Sequence, residues 1–175
     1  MASDTAWLGG LIREISDYPK PGVTFRDITP LLGDAKGFRA SIDDLADAFA
    51  DVDVDRVIGI EARGFIIAAP VAYRLGASFV PVRKAGKLPW AVAREEYELE
   101  YGTDKLEIHR DAIHPGERIL VIDDVLATGG TAGAVLRLIE GLGGEVAGLG
   151  FIIEIGALNG RRALGSHPVV SLVTF

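Results

Sequence analysis

The chain has 175 residues, enough for one domain (1–175) with its own core. Its formal net charge of −7 argues against nucleic-acid binding, and the absence of cysteine excludes disulfides, zinc–thiolate sites and thiol catalysis. No apolar run is long enough to cross a membrane. Met1–Asp4 lacks the basic then apolar pattern of a signal peptide, so a cytoplasmic location is expected, without membrane or nucleic-acid partners.

Trp7, Leu8, Leu11, Ile12 and Ile15 recur at helical spacing and predict a helix over Thr5 to Ile15. Asp17-Tyr18-Pro19-Lys20-Pro21-Gly22 reads as a turn-rich loop. A second helix is expected from about Asp34 to Ala50, with Phe38, Ile42, Leu45 and Phe49 on one face. The rhythm then changes to strand (Arg56–Ile60), helix (Phe65–Leu75) and strand (Ser78–Val82). After a break it resumes as strand (Arg118–Asp123), helix (Thr131–Leu142) and strand (Glu145–Ile155). Such alternation predicts an α/β fold with a mostly parallel central sheet flanked by helices. In such sheets ligands bind beyond the carboxyl ends of the strands. Within the break, Arg83 to Glu95 is polar, holds Gly86 and Pro89, and reads as a long mobile loop. Glu96 to Tyr101 alternates acid with apolar residue, as a half-buried strand does, and is expected to form a hairpin with Lys105 to His109. His109, His114 and His167 show no ligand or triad spacing and read as structural or surface groups.

The segment with most chemistry is Ile119-Leu120-Val121-Ile122-Asp123-Asp124-Val125-Leu126-Ala127-Thr128-Gly129-Gly130-Thr131. An apolar strand ends in two carboxylates, and a glycine- and threonine-containing loop leads into a helix. The unpaired N–H groups of a helix start suit a phosphate. Gly129 and Gly130 let the backbone approach it, and the Thr128 and Thr131 hydroxyls add donors. Asp123 and Asp124 can accept hydrogen bonds from a vicinal diol. Diol at one end and phosphate at the other describe a ribose 5-phosphate. The string is neither a P-loop nor a dinucleotide fingerprint. Taken piecemeal, it also fits a tight turn, an ordinary cap at Thr131 and a solvated strand end.

As a whole the string resembles the ribose-phosphate motif of the type I phosphoribosyltransferases, and of their adenine-specific members in particular. The similarity runs from the first helix to the last strand. The resemblance implies a small N-terminal base-binding hood, a flexible active-site loop and a homodimer. It implies that adenine and 5-phosphoribosyl 1-pyrophosphate give AMP and pyrophosphate, with the donor bound as its Mg²⁺ complex and no firm protein metal ligand. It places the ribose phosphate on Asp123, Asp124, Ala127, Thr128, Gly129, Gly130 and Thr131. In Gly22–Pro30 it stacks adenine on Phe25, bordered by Val23 and Arg26; on the pattern of this segment alone Phe25 is better read as a core residue. Glu61-Ala62-Arg63-Gly64-Phe65 resembles the pyrophosphate loop, with Glu61, Ala62 and Arg63 at the leaving group and a cis peptide expected at Glu61–Ala62. A surface pair between Arg63 and Glu61 is the plainer alternative. Arg83, Lys84 and Lys87 resemble the start of the lid over the pyrophosphate. Tyr97-Glu98-Leu99-Glu100-Tyr101-Gly102 singles out Glu100 as the carboxylate that handles the adenine proton, beside Arg63 as a second catalytic group. The Trp90–Glu95 stretch departs from the more polar residues expected there, and Trp90 fits either a closed lid or a subunit contact. Two other readings stay open: a phosphoribosyltransferase for hypoxanthine, guanine or xanthine, and a non-catalytic regulator that senses the ribosyl pyrophosphate. The acidic charge and the missing DNA-binding module weigh against the second.

Overall fold

The computed structural model describes residues 5–98 and 103–175. At the N-terminus the expected helix stops early. Ala6–Leu11 forms a 3₁₀ turn, and Arg13–Ile15 becomes strand β1, paired antiparallel with β2 (Phe25–Asp27). Gly9 and Gly10 weaken a helix here. The pairing of Ile15 with Phe25 and Arg13 with Asp27 gives the backbone better use. This hairpin is the small N-terminal unit. A short helix, α1 (Thr29–Gly33), precedes α2 (Ala35–Ala48), whose first turn is capped by Asp34 Oδ1 accepting from Gly37 N–H at 2.7 Å.

The remaining elements follow the expected alternation: β3 (Arg56–Ile60), α3 (Gly64–Leu75), β4 (Ser78–Lys84), β5 (Val92–Glu98), β6 (Thr103–His109), β7 (Arg118–Leu126), α4 (Gly130–Gly141), β8 (Glu145–Glu154) and β9 (Val169–Thr174). They make a seven-stranded sheet in the order β5-β6-β4-β3-β7-β8-β9. From β4 to β9 the pairs are parallel, whereas β6 and β5 add an antiparallel edge. The chain leaves β3 for β4 on one side and β7 for β8 on the other, so the switch point lies between β3 and β7. The two crossovers put their helices on opposite faces. Ile67, Val71 and Leu45 of α3 and α2 pack with Val57, Leu120 and Ile122. Val135 and Ile139 of α4 pack with Ile58, Val121 and Phe151.

The loop expected over Arg83 to Glu95 is shorter than its composition suggested. Val92–Glu98 pairs with β6 along its whole length, from Val92 opposite His109 to Glu98 opposite Thr103, leaving only residues 85–91 between strands. Cross-strand partners supply the stability that the polar sequence hides, as in Arg94 opposite Glu107 and Lys105 with Glu96 at 2.9 Å. Over Glu96–Glu98 the predicted alternation holds, with Tyr97 buried between exposed Glu96 and Glu98. Leu99, Glu100, Tyr101 and Gly102 lie outside the described residues. Among the described residues no helix is long and apolar enough to cross a membrane.

Candidate active site

Two helices begin beside the switch point, and no side chain among the described residues caps either one. α3 starts after Arg63, which has helical backbone angles. α4 starts after Gly129, whose φ of +85° strongly favours glycine. Thr131 is therefore not the cap that a piecemeal reading suggests. Both helices start next to the carboxyl ends of β3 and β7, and the N-terminus of a helix suits anions.

Strand β7 runs through the two acids to Leu126, further than its apolar run indicates. Asp124 is buried and forms an ion pair with Arg63, whose guanidinium also lies 5.3 Å from the Phe25 ring centre. Asp123 sits beside Gly64, where an added Cβ would come within 2.7 Å of Asp123 Oδ1. Asp123 Oδ1 accepts from Asp124 N–H at 2.9 Å. Burial pushes the Asp123 carboxyl well above its usual range, and the neighbouring Asp124 charge adds to the rise.

Glu61, the first residue after β3, is joined to Ala62 by a cis peptide, as expected. It does not pair with Arg63. It accepts from the Arg83 guanidinium through two bonds of 3.2 Å and from Lys84 N–H at 3.1 Å. Burial alone would raise the Glu61 pKa; the Arg83 and Lys84 hydrogen bonds and the Arg83 and Lys87 charges outweigh it and hold the carboxyl below its usual range. Arg83 also donates to the Lys87 carbonyl at 3.2 Å, and Lys84 Nζ lies 3.0 Å from Asp104 Oδ2.

A cleft of about 480 Å³ brings together Glu61, Ala62, Arg63, Lys84, Asp123, Asp124, Ala127 and Thr131 from segments far apart in sequence. Beside it a pocket of about 70 Å³ is lined by Thr128, Gly129, Gly130 and Thr131, a size suited to a single phosphate group. Val23, Phe25 and Arg26 stand outside both, on the N-terminal hairpin. Phe25 belongs to neither core cluster. It is half-buried, with Tyr18 edge-on at 5.3 Å, and so is not the core residue that pattern alone allowed. The Arg26 side chain is occupied by an ion pair with Glu14 and by the Phe175 ring at 4.1 Å. Glu100 lies outside the described residues.

Tyr97, Asp104 and Leu106 also line the cleft and were not singled out from the sequence. The strict alternation around Tyr97 was the available signal, since it marks which hairpin side chains face inward. Of the histidines, His114 accepts or shares a hydrogen bond with Arg56 at 3.1 Å, far from the cleft in the fold's opposite loops, and His109 Nε2 is buried.

Comparison with known proteins agrees with this geometry. The family described as "Phosphoribosyl transferase domain" matches residues 34–168. The adenine phosphoribosyltransferase of Trichormus variabilis is 57% identical over 170 residues, covering 96% of this chain and 99% of that protein. That of Alkaliphilus metalliredigens is 55% identical, with coverage of 96% and 99%. Among solved structures, adenine phosphoribosyltransferase from Thermoanaerobacter pseudethanolicus superposes with a TM-score of 0.94 at 51% identity, covering 97% of this chain and 98% of that one. The Saccharomyces cerevisiae enzyme, complexed with D-2,5-dideoxy-2,5-imino-altritol 1,6-bisphosphate and adenine, gives 0.91 at 37% identity, covering 99% and 100%. The chain belongs to the phosphoribosyltransferase family, among the adenine phosphoribosyltransferases.

Proposed function

We propose that this chain transfers the 5-phosphoribosyl group of 5-phosphoribosyl 1-pyrophosphate to adenine, releasing AMP and pyrophosphate. The observation that carries the reading is the convergence of two uncapped helix starts and the Asp123–Asp124 pair at one switch point. The spacing suits a ligand with a phosphate at one end, a diol in the middle and a second anion at the other end.

In this reading the 5-phosphate occupies the small pocket at Ala127–Thr131, bound by α4 N–H groups and the threonine hydroxyls. Asp123 and Asp124 accept from the ribose hydroxyls. The pyrophosphate lies along Glu61-Ala62-Arg63, held by backbone N–H groups of α3, Arg63, Arg83, Lys84 and Lys87. As the C1′–O bond breaks, the electron pair leaves with pyrophosphate and positive charge builds on the ribose. The cations stabilise the departing oxygens. Adenine, stacked on Phe25 beside Val23 and Arg26, attacks C1′ through N9. Its N9 proton passes toward Glu100.

Among the described residues no group of three or more His, Asp or Glu is arranged to hold a metal. The hard carboxylate oxygens at Asp123 and Asp124 nonetheless suit a Mg²⁺ ion that arrives on the donor, ligated mainly by substrate oxygens and water. When bound, Mg²⁺ neutralises part of the pyrophosphate charge.

The chain is proposed to work as a homodimer in the cytoplasm. In support, Ile66 and Tyr73 of α3 and Phe79 of β4 are exposed large apolar side chains. The decisive experiment supplies the purified protein with donor, Mg²⁺ and each purine base in turn. AMP formed from adenine alone is the expected result. Product from hypoxanthine, guanine or xanthine instead would refute the adenine assignment, and donor binding without turnover of any base would favour the regulator.

A further inference from the structure

Between β8 and β9 the chain makes two 3₁₀ turns, Gly156–Leu158 and Gly160–Leu164, joined by Asn159 with a φ of +52°. The second turn touches the phosphate loop backbone to backbone. A Cβ added to Gly160 would lie 2.2 Å from the Ala127 carbonyl oxygen and 3.0 Å from Leu126 Cδ1. A Cβ added to Gly129 would lie 2.4 Å from the Gly160 carbonyl oxygen and 2.8 Å from Ala163 Cβ. The fit is reciprocal: each glycine is small because the other backbone occupies the space.

Gly160 is not among the positive-φ glycines, so its backbone conformation is open to other residues and only the contact forbids a side chain. The turn is fastened from below. Arg161 donates to Glu154 through Nε at 2.8 Å and Nη2 at 2.7 Å, and to the Val169 carbonyl at 3.0 Å. Glu154 closes strand β8 and is 8% exposed, and Leu164 anchors the far end of the turn in the core. The last residue of β7 and the first after β8 are also tied together, with Ile155 N–H donating to the Leu126 carbonyl at 2.9 Å.

We propose that the Gly160–Leu164 turn is a strut that holds the Ala127–Thr131 loop in its anion-binding shape. Gly160 is the positioning residue and the Arg161–Glu154 pair is its lock. The inference rests on the reading of that loop as the 5-phosphate site. Gly160→Ala forces the Ala127 carbonyl to retreat by roughly 1 Å to restore an ordinary contact distance. That carbonyl belongs to the peptide that leads into Thr128 and Gly129, so the donors beyond it move with it. The pyrophosphate segment at Glu61–Arg63 hangs from β3 and is not touched.

The test is titration calorimetry with Mg²⁺ and two separate probes, ribose 5-phosphate and inorganic pyrophosphate. Gly160→Ala is expected to weaken ribose 5-phosphate by about tenfold or more, as loss of a charge-assisted hydrogen bond does, while pyrophosphate stays within about twofold. Arg161→Ala, which leaves the glycine contact in place but frees the turn, is expected to show the same split to a smaller degree. It carries the test if Gly160→Ala does not fold. Equal weakening of both probes, or no weakening of either, overturns the strut. Failure of the unaltered chain to bind ribose 5-phosphate overturns the phosphate-loop reading itself, and the strut with it.

Discussion

Glu107 offers a direct test of how the cationic loop is held. It sits on β6 with only 1% of its surface exposed, opposite Arg94 on one side and Arg83 on the other. Its Oε2 accepts from Gly86 N–H at 2.9 Å, and its Oε1 accepts from Arg94 Nε at 2.8 Å. Burial would raise its pKa, yet the Gly86 N–H and the Arg94 guanidinium outweigh burial and hold it below the usual range. Gly86, at a φ of +80°, is the bend between Lys84 and Lys87. Glu107→Ala removes both acceptors. Arg94 is half exposed and returns to water at little cost, so the loss is dominated by the part-buried Gly86 N–H and the vacated side-chain volume. That amounts to about 2 kcal/mol, or a fall in Tm of about 4–8 °C for a chain of this length. Glu107→Gln keeps one acceptor oxygen and should lose about half as much. Because the same bond sets the bend of the loop, KM for the ribosyl pyrophosphate should rise in both variants while KM for adenine stays level. Thermal melts followed by steady-state kinetics read both effects. An unchanged Tm in Glu107→Ala, or equal rises in the two KM values, would refute the reasoning.

In the proposed reading Arg63→Ala removes a guanidinium that binds the pyrophosphate and should raise the donor KM by about tenfold to a hundredfold, with Arg63→Lys recovering part of the loss; initial rates against donor concentration check it. Phe25→Leu keeps an apolar side chain but loses the stacking face, so KM for adenine should rise by up to about tenfold with the donor KM unchanged. Glu117 lies far from the cleft, and the Arg56 guanidinium foremost, together with His114 N–H, lowers its pKa from 4.5 to about 2 against the opposing effect of burial. Since the folded value is depressed, its contribution is complete above pH 4.5 and is lost as pH falls toward 2. Glu117→Gln should therefore cost about 2–3 kcal/mol at pH 7, allowing for screening of a partly exposed pair, and roughly half of that at pH 3, as urea midpoints at the two pH values will report.

Much of this site was legible because its parts are local. The strand–acid–acid–loop–helix string states its own geometry, since an apolar run, two glycines and a helix pattern each constrain the backbone within a few residues. The same holds for Arg56–Ile60 leading into Arg63. The errors came where distant partners decide. Trp7 to Ile15 has helical spacing, but Ile15 is claimed by Phe25 across the hairpin. Val92 to Glu95 looks like loop, but β6 claims it. Arg63 was expected to face Glu61 if it was merely structural, and instead pairs with Asp124, which is 61 positions along the chain and adjacent only because β3 and β7 are neighbours. Gly160 was invisible for the same reason. A glycine in a loop says nothing of which backbone will press against it.

The negative charge of the chain and its proposed polyanionic substrate are compatible for a reason the fold makes plain. A large excess of basic residues is one way to hold phosphate, and a chain with a net charge of −7 does not have it. The other way is neutral: backbone N–H groups at helix starts, presented where no side chain competes for them. Here α3 and α4 diverge from adjacent strands to opposite faces of the sheet, so their N-terminal ends converge on one cleft. Of the cations assigned to the pyrophosphate, Arg63, Arg83 and Lys84 are each matched by a carboxylate, at Asp124, Glu61 and Asp104. In the proposed reading these pairs limit the cationic excess of the cleft before substrate arrives, and its preference for phosphate rests on the direction of its donors as well as on those charges. A surface that binds by direction is selective for the shape of the anion, which is what a site that must distinguish a ribosyl pyrophosphate from other phosphates requires.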